Sequence, residues 1–162
     1  MGLQKAMVSS KSNEWATPIK FFNYLNSIFN FTLDPCSTHE NAKCEKHYTL
    51  EDNGLSKSWK NEIVFVNPPY GGHTKEWLEK GQKETENNNA TTVFLIVSAT
   101  DRSYWHENID RNADEIWFLR GRIKFNDVKT TAPFASAVII FRPNSKKRLI
   151  KFIDFKEYYQ KI

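Results

Sequence analysis

The chain has 162 residues, with 23 basic and 19 acidic side chains for a net charge of +4, and this length fits one domain. Hydrophobic residues make up 40% and aromatic residues 14% of the chain, which excludes a disordered protein. The mild basic excess allows a polyanionic partner without requiring one. Residues 1–13 are small and polar, so we expect a flexible segment there and a folded domain over 14–162.

No apolar stretch predicts export or a membrane span. Met1–Ala6 is not followed by the apolar core of a signal peptide. The longest apolar run, Val93–Val97, is far too short to cross a bilayer. Two cysteines, Cys36 and Cys44, fit a reducing compartment, and together these features predict a cytoplasmic protein.

The N-terminal part predicts one amphipathic helix and one buried strand. Thr17-Pro18 precedes apolar residues spaced three and four apart from Ile19 to Phe29, which predicts a helix with Thr17 as its N-cap. Residues 31–33 are predicted to form a short strand and residues 36–60 to form loops. Ile63–Val66 is a continuous apolar run, as expected of a strand buried on both faces.

The rest of the chain alternates predicted helices and strands. Helices are expected over residues 75–88, 103–112 and 146–160, strands over 92–99, 115–119 and 137–141, and a basic loop over 121–133. This alternation predicts an α/β fold with a mostly parallel central sheet. Ligands bind at the carboxyl ends of the strands in such sheets, where we expect Asp34, Asn67 and residues 98–101 to meet.

The tetrapeptide Asn67-Pro68-Pro69-Tyr70 directly follows the first buried strand. Proline has no N–H and fixes φ at about −65°, so this rigid turn presents only acceptors, chiefly the side-chain oxygen of Asn67. An acceptor-only turn suits a substrate that carries an NH₂ group, and Tyr70 adds a flat face for a planar ring. The pattern predicts a pocket for the amino group of a base, an amide or a guanidine-like group, and the alternative is a plain loop with a surface tyrosine.

A cysteine–histidine pattern raises the question of a metal site. Cys36, His39, Cys44 and His47 form C-x2-H-x4-C-x2-H, and these side chains are of the types that bind zinc. The central spacer is shorter than in the usual zinc-finger patterns. We therefore favour two reduced cysteines and two polar histidines over a metal site.

Basic residues surround an aromatic residue in the loop over 121–133. Arg120, Arg122, Lys124 and Lys129 can pair with phosphates while Phe125 stacks on a base or wedges beside one. A solvated hairpin with Phe125 in the core explains the same residues, and the sequence leaves both open.

Two further basic groups are also ambiguous. Lys146–Arg148 and Lys151 open the last predicted helix, where a solvated basic face is the favoured interpretation. Arg102 follows Asp101 at a predicted strand end, where it can meet a phosphate or pair with that aspartate.

The tetrapeptide resembles the catalytic motif of amino-group methyltransferases that use S-adenosylmethionine. An ordered set of motifs around it is similar to that of the small phage and prophage DNA N6-adenine methyltransferases (Dam-like), over about residues 13–142. The motifs are Glu14-Trp15-Ala16-Thr17-Pro18, Leu33-Asp34-Pro35-Cys36, Asn41-Ala42-Lys43-Cys44, Asp52-Asn53-Gly54-Leu55 with Trp59, Asn67-Pro68-Pro69-Tyr70-Gly71, Gly121-Arg122-Ile123-Lys124-Phe125 and Ala132-Pro133-Phe134.

The resemblance implies a reduced Rossmann-like methyltransferase fold. It also implies transfer of the S-adenosylmethionine methyl group to N6 of an adenine flipped out of DNA. The catalytic residues would be Asn67, Pro68, Pro69 and Tyr70; the cofactor-binding residues Trp15, Thr17, Pro18, Asp34, Pro35, Cys36, Asp52 and Asn67; and the DNA-binding residues Arg102, Arg122, Lys124 and Phe125. Such an enzyme would work in the cytoplasm of a bacterium or of a phage-infected cell.

Within this family pattern, individual roles follow for several of the cofactor residues. Thr17-Pro18 would line the methionine end of the cofactor, the Asp34 carboxylate would lie near its ammonium, and Asp52 would accept a hydrogen bond from its adenine amine. The usual glycine-rich loop is missing after Asp34, and the gap from Asp34 to Ile63 leaves little room for a strand with the usual ribose-binding acid. Glu51 or Asp52 is therefore expected to bind the ribose. Two alternatives remain: an amino-group methyltransferase acting on RNA or protein, and a catalytically inactive nucleic-acid-binding homologue.

Overall fold

The computed structural model describes residues 15–127, 131–145 and 147–154, so the expectations for residues 1–14, Lys129 and Lys146 lie outside it. Its core is one five-stranded sheet in the order β1-β2-β4-β3-β5. The strands are β1 (Ile63–Val66), β2 (Thr91–Val97), β3 (Glu115–Arg120), β4 (Ser136–Phe141) and β5 (Leu149–Asp154). The helices are α1 (Ile19–Phe29) and α2 (Thr74–Asn88), with a π-helical turn at Trp105–Ile109.

The sheet is mixed, which corrects the expectation of a mostly parallel one. β1 is parallel to β2 and β3 is parallel to β5, but β4 lies antiparallel between β2 and β3. All six residues of β4 are buried. A strand buried on both faces is a continuous apolar run whichever way it points, so its direction could not be predicted from its composition.

Two apolar layers cover the sheet, one on each face. Alternate side chains of a strand point to opposite faces, so Phe65 belongs to one core cluster and Val64 to the other. On the Phe65 side, α1 contributes Phe22 and Leu25, both of which are buried. On the Val64 side lie α2 and the π-helical turn. The predicted helices over residues 19–29 and 75–88 are confirmed.

The start of α1 differs from the prediction. Pro18, not Thr17, occupies the N-cap position, and no side chain of the described residues caps the helix. The Thr17 hydroxyl instead accepts a hydrogen bond from Asn67, fifty residues further along the chain. Thr17 is therefore committed to a tertiary contact rather than to its own helix.

The predicted final helix is wrong over the part that the structure describes. Residues Leu149–Asp154 form β5, which pairs in parallel with β3 along its whole length. Leu149, Phe152 and Ile153 have helical spacing, but β5 is an edge strand that leaves Ile150 61% and Phe152 77% exposed. Such a strand shows no inside–outside alternation that a sequence could reveal, and residues 155–160 lie outside the description.

Shorter elements position the site. The strand predicted over residues 31–33 is reduced to isolated bridges, Leu33 with Val64 and Asp34 with His47. The first bridge extends the sheet beyond β1 and brings Asp34 to the carboxyl end of that strand. Within the described ranges, no helix is both long and apolar enough to cross a membrane.

Candidate active site

The expected meeting of polar side chains occurs at the carboxyl end of β1. Asn67 directly follows the last residue of β1, and the Leu33–Val64 bridge brings Asp34 alongside. Asp34, Asn67 and Thr17 line the same small cavity of about 40 Å³. Residues 98–101, which the sequence also placed at this edge, do not line it.

The side-chain amide of Asn67 is held in one orientation. Its Nδ2 donates to the backbone oxygen of Trp15 at 2.9 Å and to Oγ1 of Thr17 at 3.0 Å. A carbonyl oxygen can only accept, so the atom facing Trp15 must be the nitrogen, and Oδ1 must point the other way. Oδ1 is buried and has no hydrogen-bond partner within the described residues. Leaving such an acceptor unpaired costs about 1–3 kcal/mol, so this oxygen can accept a hydrogen bond from a donor that enters the cavity.

The backbone of the tetrapeptide has its own anchor. The thiol of Cys36 donates to the backbone oxygen of Asn67 with an Sγ–O distance of 3.3 Å. Burial raises the pKa of this thiol well above 9.0, so Cys36 stays protonated and remains a donor at neutral pH. A hydrogen bond thus joins the loop after Asp34 directly to the tetrapeptide.

Four aromatic rings form a cluster beside the tetrapeptide. The ring of Tyr70 stacks on Phe134 with centroids 5.4 Å apart, and Trp15 lies 4.9 Å from Phe134. Phe125 meets Trp15 edge-on at 5.6 Å and is only 2% exposed. Of the two interpretations left open for Phe125, the structure shows the core position, because a ring buried in this cluster presents no face to a base.

The hydroxyl of Tyr70 is a second unpartnered polar group. It is buried and has no hydrogen-bond partner within the described residues. Burial is the largest cause that raises its pKa, so the phenol stays neutral at physiological pH.

A larger cavity of about 270 Å³ adjoins the small one, and both are lined by Cys36, Ser37 and Asn41. Its walls come from residues 36–41 and 49–51 and from Pro69. This volume lies just below the range for small-molecule sites, about 300–1,000 Å³. The Ser37 hydroxyl is buried without a partner in the described part of the chain, so a second polar atom beside these cavities is free to bind a ligand.

The two loops that line this cavity contact each other closely beside it. A Cβ added to Gly54 would lie 2.0 Å from the backbone oxygen of Pro35, so only glycine fits there. The Gly54 oxygen in turn accepts a hydrogen bond from Nε1 of the buried Trp59 at 3.0 Å. The turn that carries residues 49–51 is thereby pressed against the loop that follows Asp34.

Asp34 is a buried carboxylate at the edge of the cavities. Only 4% of the residue is exposed, and its two oxygens accept from the backbone N–H groups of Lys43 at 3.0 Å and Cys36 at 3.4 Å. Burial raises the pKa of Asp34, while these hydrogen bonds and the nearby charges of Lys43 and His47 lower it in part. A carboxylate with this environment suits a cationic ligand group, which would offset the cost of burial.

The two acids after Leu50 have different surroundings. Glu51 lines the larger cavity. Asp52 lies outside the lining of both cavities, and its Oδ2 accepts from N and Oγ1 of Thr49 at 2.8 and 3.0 Å. The backbone hydrogen bond from Thr49 is the main cause that lowers the pKa of Asp52. Its carboxylate closes the local turn, and a contact with the cofactor adenine stays a prediction.

Three of the remaining cofactor candidates lie beside the cavities without lining them. Trp15 contributes its backbone oxygen to Asn67, and Pro18 begins α1. Pro35 packs against Gly54. These residues shape the site, and a direct contact with a cofactor stays a prediction.

The basic candidates lie in segments that follow β2 and β3. Arg102 and Arg122 are exposed, whereas Lys124 is half-buried. Arg122 donates to the backbone oxygen of Ala132 at 3.3 Å, and Arg120 pairs with Asp154 at 3.5 Å.

The cysteine–histidine pattern forms no metal-binding cluster in the part of the chain that is described. His39 Nδ1 and His47 Nε2 lie 2.9 Å apart, so one ring donates to the other. The thiol of Cys36 points to Asn67 instead.

Sequence reasoning missed three contributors to this site. The carbonyl of Trp15 holds Asn67, Ser37 offers an unpaired hydroxyl, and Phe134 stacks on Tyr70. Trp15 and Phe134 both stand in the family motifs, but those motifs did not reveal these contacts. Trp15 acts through a backbone atom, which no residue type reveals.

The chain is similar to a family of DNA-modifying enzymes along almost its whole length. The family model for DNA N-6-adenine-methyltransferase (Dam) matches residues 4–159. A DNA N-6-adenine-methyltransferase of Haemophilus phage HP1 (strain HP1c1) is 31% identical over 124 residues, which are 75% of this chain and 70% of the relative. Another of that name from Escherichia phage T1 is 33% identical over 107 residues, 65% of this chain and 44% of the relative.

Solved structures share the fold at low sequence identity. A modification subunit from Vibrio vulnificus YJ016 matches with a TM-score of 0.55 and 11% identity, over 90% of this chain and 48% of that subunit. A structure of a type I R-M system matches with a TM-score of 0.54 and 11% identity, over 94% of this chain and 47% of that one. The chain thus spans about half the length of these structures, and the likeness shows the fold alone.

Proposed function

We propose a reaction for this chain from one premise: the chain belongs to the DNA N-6-adenine-methyltransferase (Dam) family. It is an adenine-specific DNA methyltransferase, and it transfers a methyl group to N6 of adenine in DNA. The observation that carries this proposal is the buried, unpartnered Oδ1 of Asn67 at the carboxyl end of β1. The α/β fold, with ligand cavities at that sheet edge, supports a reduced Rossmann-like methyltransferase domain with S-adenosylmethionine as the methyl donor.

The tetrapeptide supplies what the target amine lacks. The lone pair of an exocyclic amine is conjugated with the ring, so the nitrogen is a poor nucleophile. Asn67 Oδ1 accepts one of its N–H groups and the Pro68 carbonyl the other, which draws the hydrogens out of the ring plane and restores the lone pair. Both hydrogen bonds become stronger as positive charge develops on the nitrogen, so they stabilise the transition state more than the ground state. As the amine lone pair forms the new N–C bond, the bond between the methyl carbon and the donor sulfur would break, leaving its electron pair on the sulfur. The amide and the carbonyl are not bases, so the surplus proton passes to water.

The cavities fit the cofactor. S-adenosylmethionine, when bound, supplies a methyl group on a positively charged sulfur. The buried Asp34 carboxylate would hold the cofactor ammonium, and the unpaired Ser37 hydroxyl would take one of its polar groups. Glu51 lines the larger cavity and is the better-placed acid for a ribose hydroxyl or adenine amine, with Asp52 shaping the turn beside it.

The target base has to leave the duplex to reach Asn67. Tyr70 would support it by stacking, on the face of the ring that Phe134 does not cover. The exposed Arg102 and Arg122, together with Lys124, would contact phosphates along the same sheet edge. DNA is thus the proposed macromolecular partner, and the cytoplasm the proposed compartment.

The test is a methylation assay with labelled S-adenosylmethionine and duplex DNA, RNA or protein as acceptor. We expect label only in DNA, as N6-methyladenine identified by mass spectrometry. Asn67→Ala should lower turnover about a hundredfold to a thousandfold, as does the loss of one preorganised hydrogen-bond partner elsewhere. Label in RNA or protein would instead support the alternative substrates. DNA binding without cofactor binding would support an inactive homologue.

A further inference from the structure

We infer that Thr17 is a positioning residue for methyl transfer: its hydroxyl oxygen holds the Asn67 amide in the orientation that the reaction needs. The inference rests on the proposed function, because it takes Asn67 Oδ1 as the acceptor for the target amine. It gives Thr17 a role that differs from the cofactor contact implied by the family resemblance.

Among the described residues, Thr17 supplies the one side-chain hydrogen bond to the Asn67 amide. Nδ2 of Asn67 has two hydrogens and two acceptors, the Trp15 backbone oxygen at 2.9 Å and Thr17 Oγ1 at 3.0 Å. The Trp15 oxygen is present whatever residue stands there. The choice of residue at position 17 therefore decides whether the second hydrogen is paired.

The angle of the amide depends on these hydrogen bonds. The terminal torsion of an asparagine side chain is broad, so staggered wells do not fix the direction of Oδ1. Thr17 is only 3% exposed, so bulk solvent does not pair with this N–H group in place of its hydroxyl. Without that hydroxyl, a buried N–H would lack a partner, and the amide would turn to find one. The turn would move Oδ1 away from the target amine.

The segment that bears Thr17 is itself anchored. Ala16 N donates to Asn126 Oδ1 at 2.8 Å, and Asn126 N donates to the Ala16 oxygen at 2.9 Å. This pair of bonds lies between the two groups that hold Asn67, so both are fixed to the loop after β3. The position of the Asn67 amide thus depends on contacts between the segment that bears Thr17 and the loop after β3.

Two substitutions at position 17 separate the hydroxyl from the shape of the side chain. Thr17→Ser keeps Oγ1, and Thr17→Val keeps the branched shape but removes the acceptor. Thr92→Val is the matched control, because Thr92 is also fully buried and its Oγ1 lies 3.3 Å from Thr85 Oγ1, away from the site.

Three readouts are required for each variant: turnover at saturating cofactor and DNA, the dissociation constant of S-adenosylmethionine by calorimetry, and the Asn67 side-chain amide signals in ¹⁵N NMR. Thr17→Val should lower kcat by about tenfold to a hundredfold, as expected when a reacting group is misplaced. Its cofactor affinity should be unchanged, and its Asn67 amide signals should shift. Thr17→Ser should recover most of the kcat and amide signals that Thr17→Val loses, and Thr92→Val should keep the wild-type values.

Several results would overturn the inference. These are a wild-type kcat in Thr17→Val, an equal loss in Thr17→Ser, or weaker cofactor binding with normal turnover at saturation. If the valine variant does not fold, Thr17→Ala replaces it in the comparison with Thr17→Ser. A wild-type protein that leaves DNA unmethylated would contradict the proposed function itself, whereas an active wild type with an unaffected Thr17→Val contradicts only this inference.

Discussion

At the scale of single residues, the proposed function rests on Oδ1 of Asn67, an acceptor that has no hydrogen-bond partner among the described residues. Because Nδ2 of Asn67 faces a carbonyl, the amide cannot flip without placing two oxygens together. The sequence alone suggests that aspartate could replace Asn67, since a carboxylate also accepts hydrogen bonds. The structure argues against this exchange, because one carboxylate oxygen would face the Trp15 oxygen.

Asn67→Asp should therefore be nearly as inactive as Asn67→Ala and less stable than the wild type. An acceptor opposed to an acceptor in a buried site should lower the free energy of unfolding by about 1–3 kcal/mol. Thermal melting and single-turnover methylation of a DNA duplex measure both effects. A variant with normal melting and turnover would show that the carbonyl of Trp15 does not fix the amide.

Asp34 should make cofactor binding depend on pH. Burial raises its pKa above the ordinary 3.8, so its charged form is lost at a higher pH than in the unfolded chain. The contribution of Asp34 to the free energy of unfolding is therefore greatest below pH 3.8, where the carboxyl group is protonated in the folded and the unfolded chain. That contribution is lost as the pH rises through the raised pKa of the folded state. A cationic cofactor has the opposite preference, since only the carboxylate attracts it.

We expect the affinity for S-adenosylmethionine to fall as the pH is lowered through the raised pKa of Asp34. Calorimetry over a pH series measures this effect. Asp34→Asn should bind the cofactor weakly at every pH and show no such decline. An identical pH profile in that variant would assign the dependence to another group.

The acceptor character of the tetrapeptide could be predicted from the sequence, because prolines bring no N–H groups wherever they lie. The hydrogen bonds that orient the Asn67 amide could not be predicted from the sequence. They join positions 50 and 52 residues apart, and one partner is a backbone oxygen. Phe125 shows the same limit, since its spacing fits a base-stacking residue and a core residue equally well.

At the scale of elements, one glycine, Gly54, allows the turn over residues 49–54 to pack closely against the loop after Asp34. Gly54→Ala should push the two apart, because the new Cβ would lie 2.0 Å from the Pro35 oxygen. We expect a loss of about 1–3 kcal/mol in stability and weaker cofactor binding, since both segments line the larger cavity.

Gly81→Ala is the matched control for that experiment. Its Cβ would lie 2.5 Å from the Phe94 ring, beneath α2 and outside the lining of both cavities. It should lose stability while the folded protein binds S-adenosylmethionine normally, as measured by calorimetry below the melting temperature. Equal cofactor affinity in the two variants would show that the contact between Gly54 and Pro35 does not affect cofactor binding.

The elements themselves were predictable to different degrees. Helix α2 and strands β1 and β2 have clear apolar patterns and lie close to their predicted ranges. β5 does not, because a strand at the sheet edge leaves Ile150 and Phe152 exposed. A sequence pattern reports burial, and an edge strand is poorly buried.

At the scale of the whole molecule, the proposed phosphate contacts should make DNA binding sensitive to salt. Each phosphate neutralised contributes a slope of about −0.9 to the plot of log affinity against log salt concentration. Reversing the charges of Arg102 and Arg122 should weaken binding and make that slope shallower. Lys83→Glu, on the exposed side of α2, is the control and should leave both unchanged.

Fluorescence anisotropy with a labelled duplex over a salt series measures these slopes. Circular dichroism checks that the variants remain folded. An affinity independent of salt would remove phosphate contacts from the interface. A double variant that binds like the wild type would move them to other cations.

The position of β4 has a consequence for the order in which the protein folds. β4 is the strand that joins the β1–β2 pair to the β3–β5 pair. Its residues, 136–141, are synthesised after three of the four strands that they connect. Until β4 has left the ribosome, β3 cannot join the sheet that contains β1 and β2, and the edges that pair with β4 stay unpaired. The half that carries Asn67 can pair β1 with β2 early, but the loop that anchors Ala16 is fixed only once β4 docks. We therefore expect the proposed site to assemble late in folding, even though most of its residues are made first.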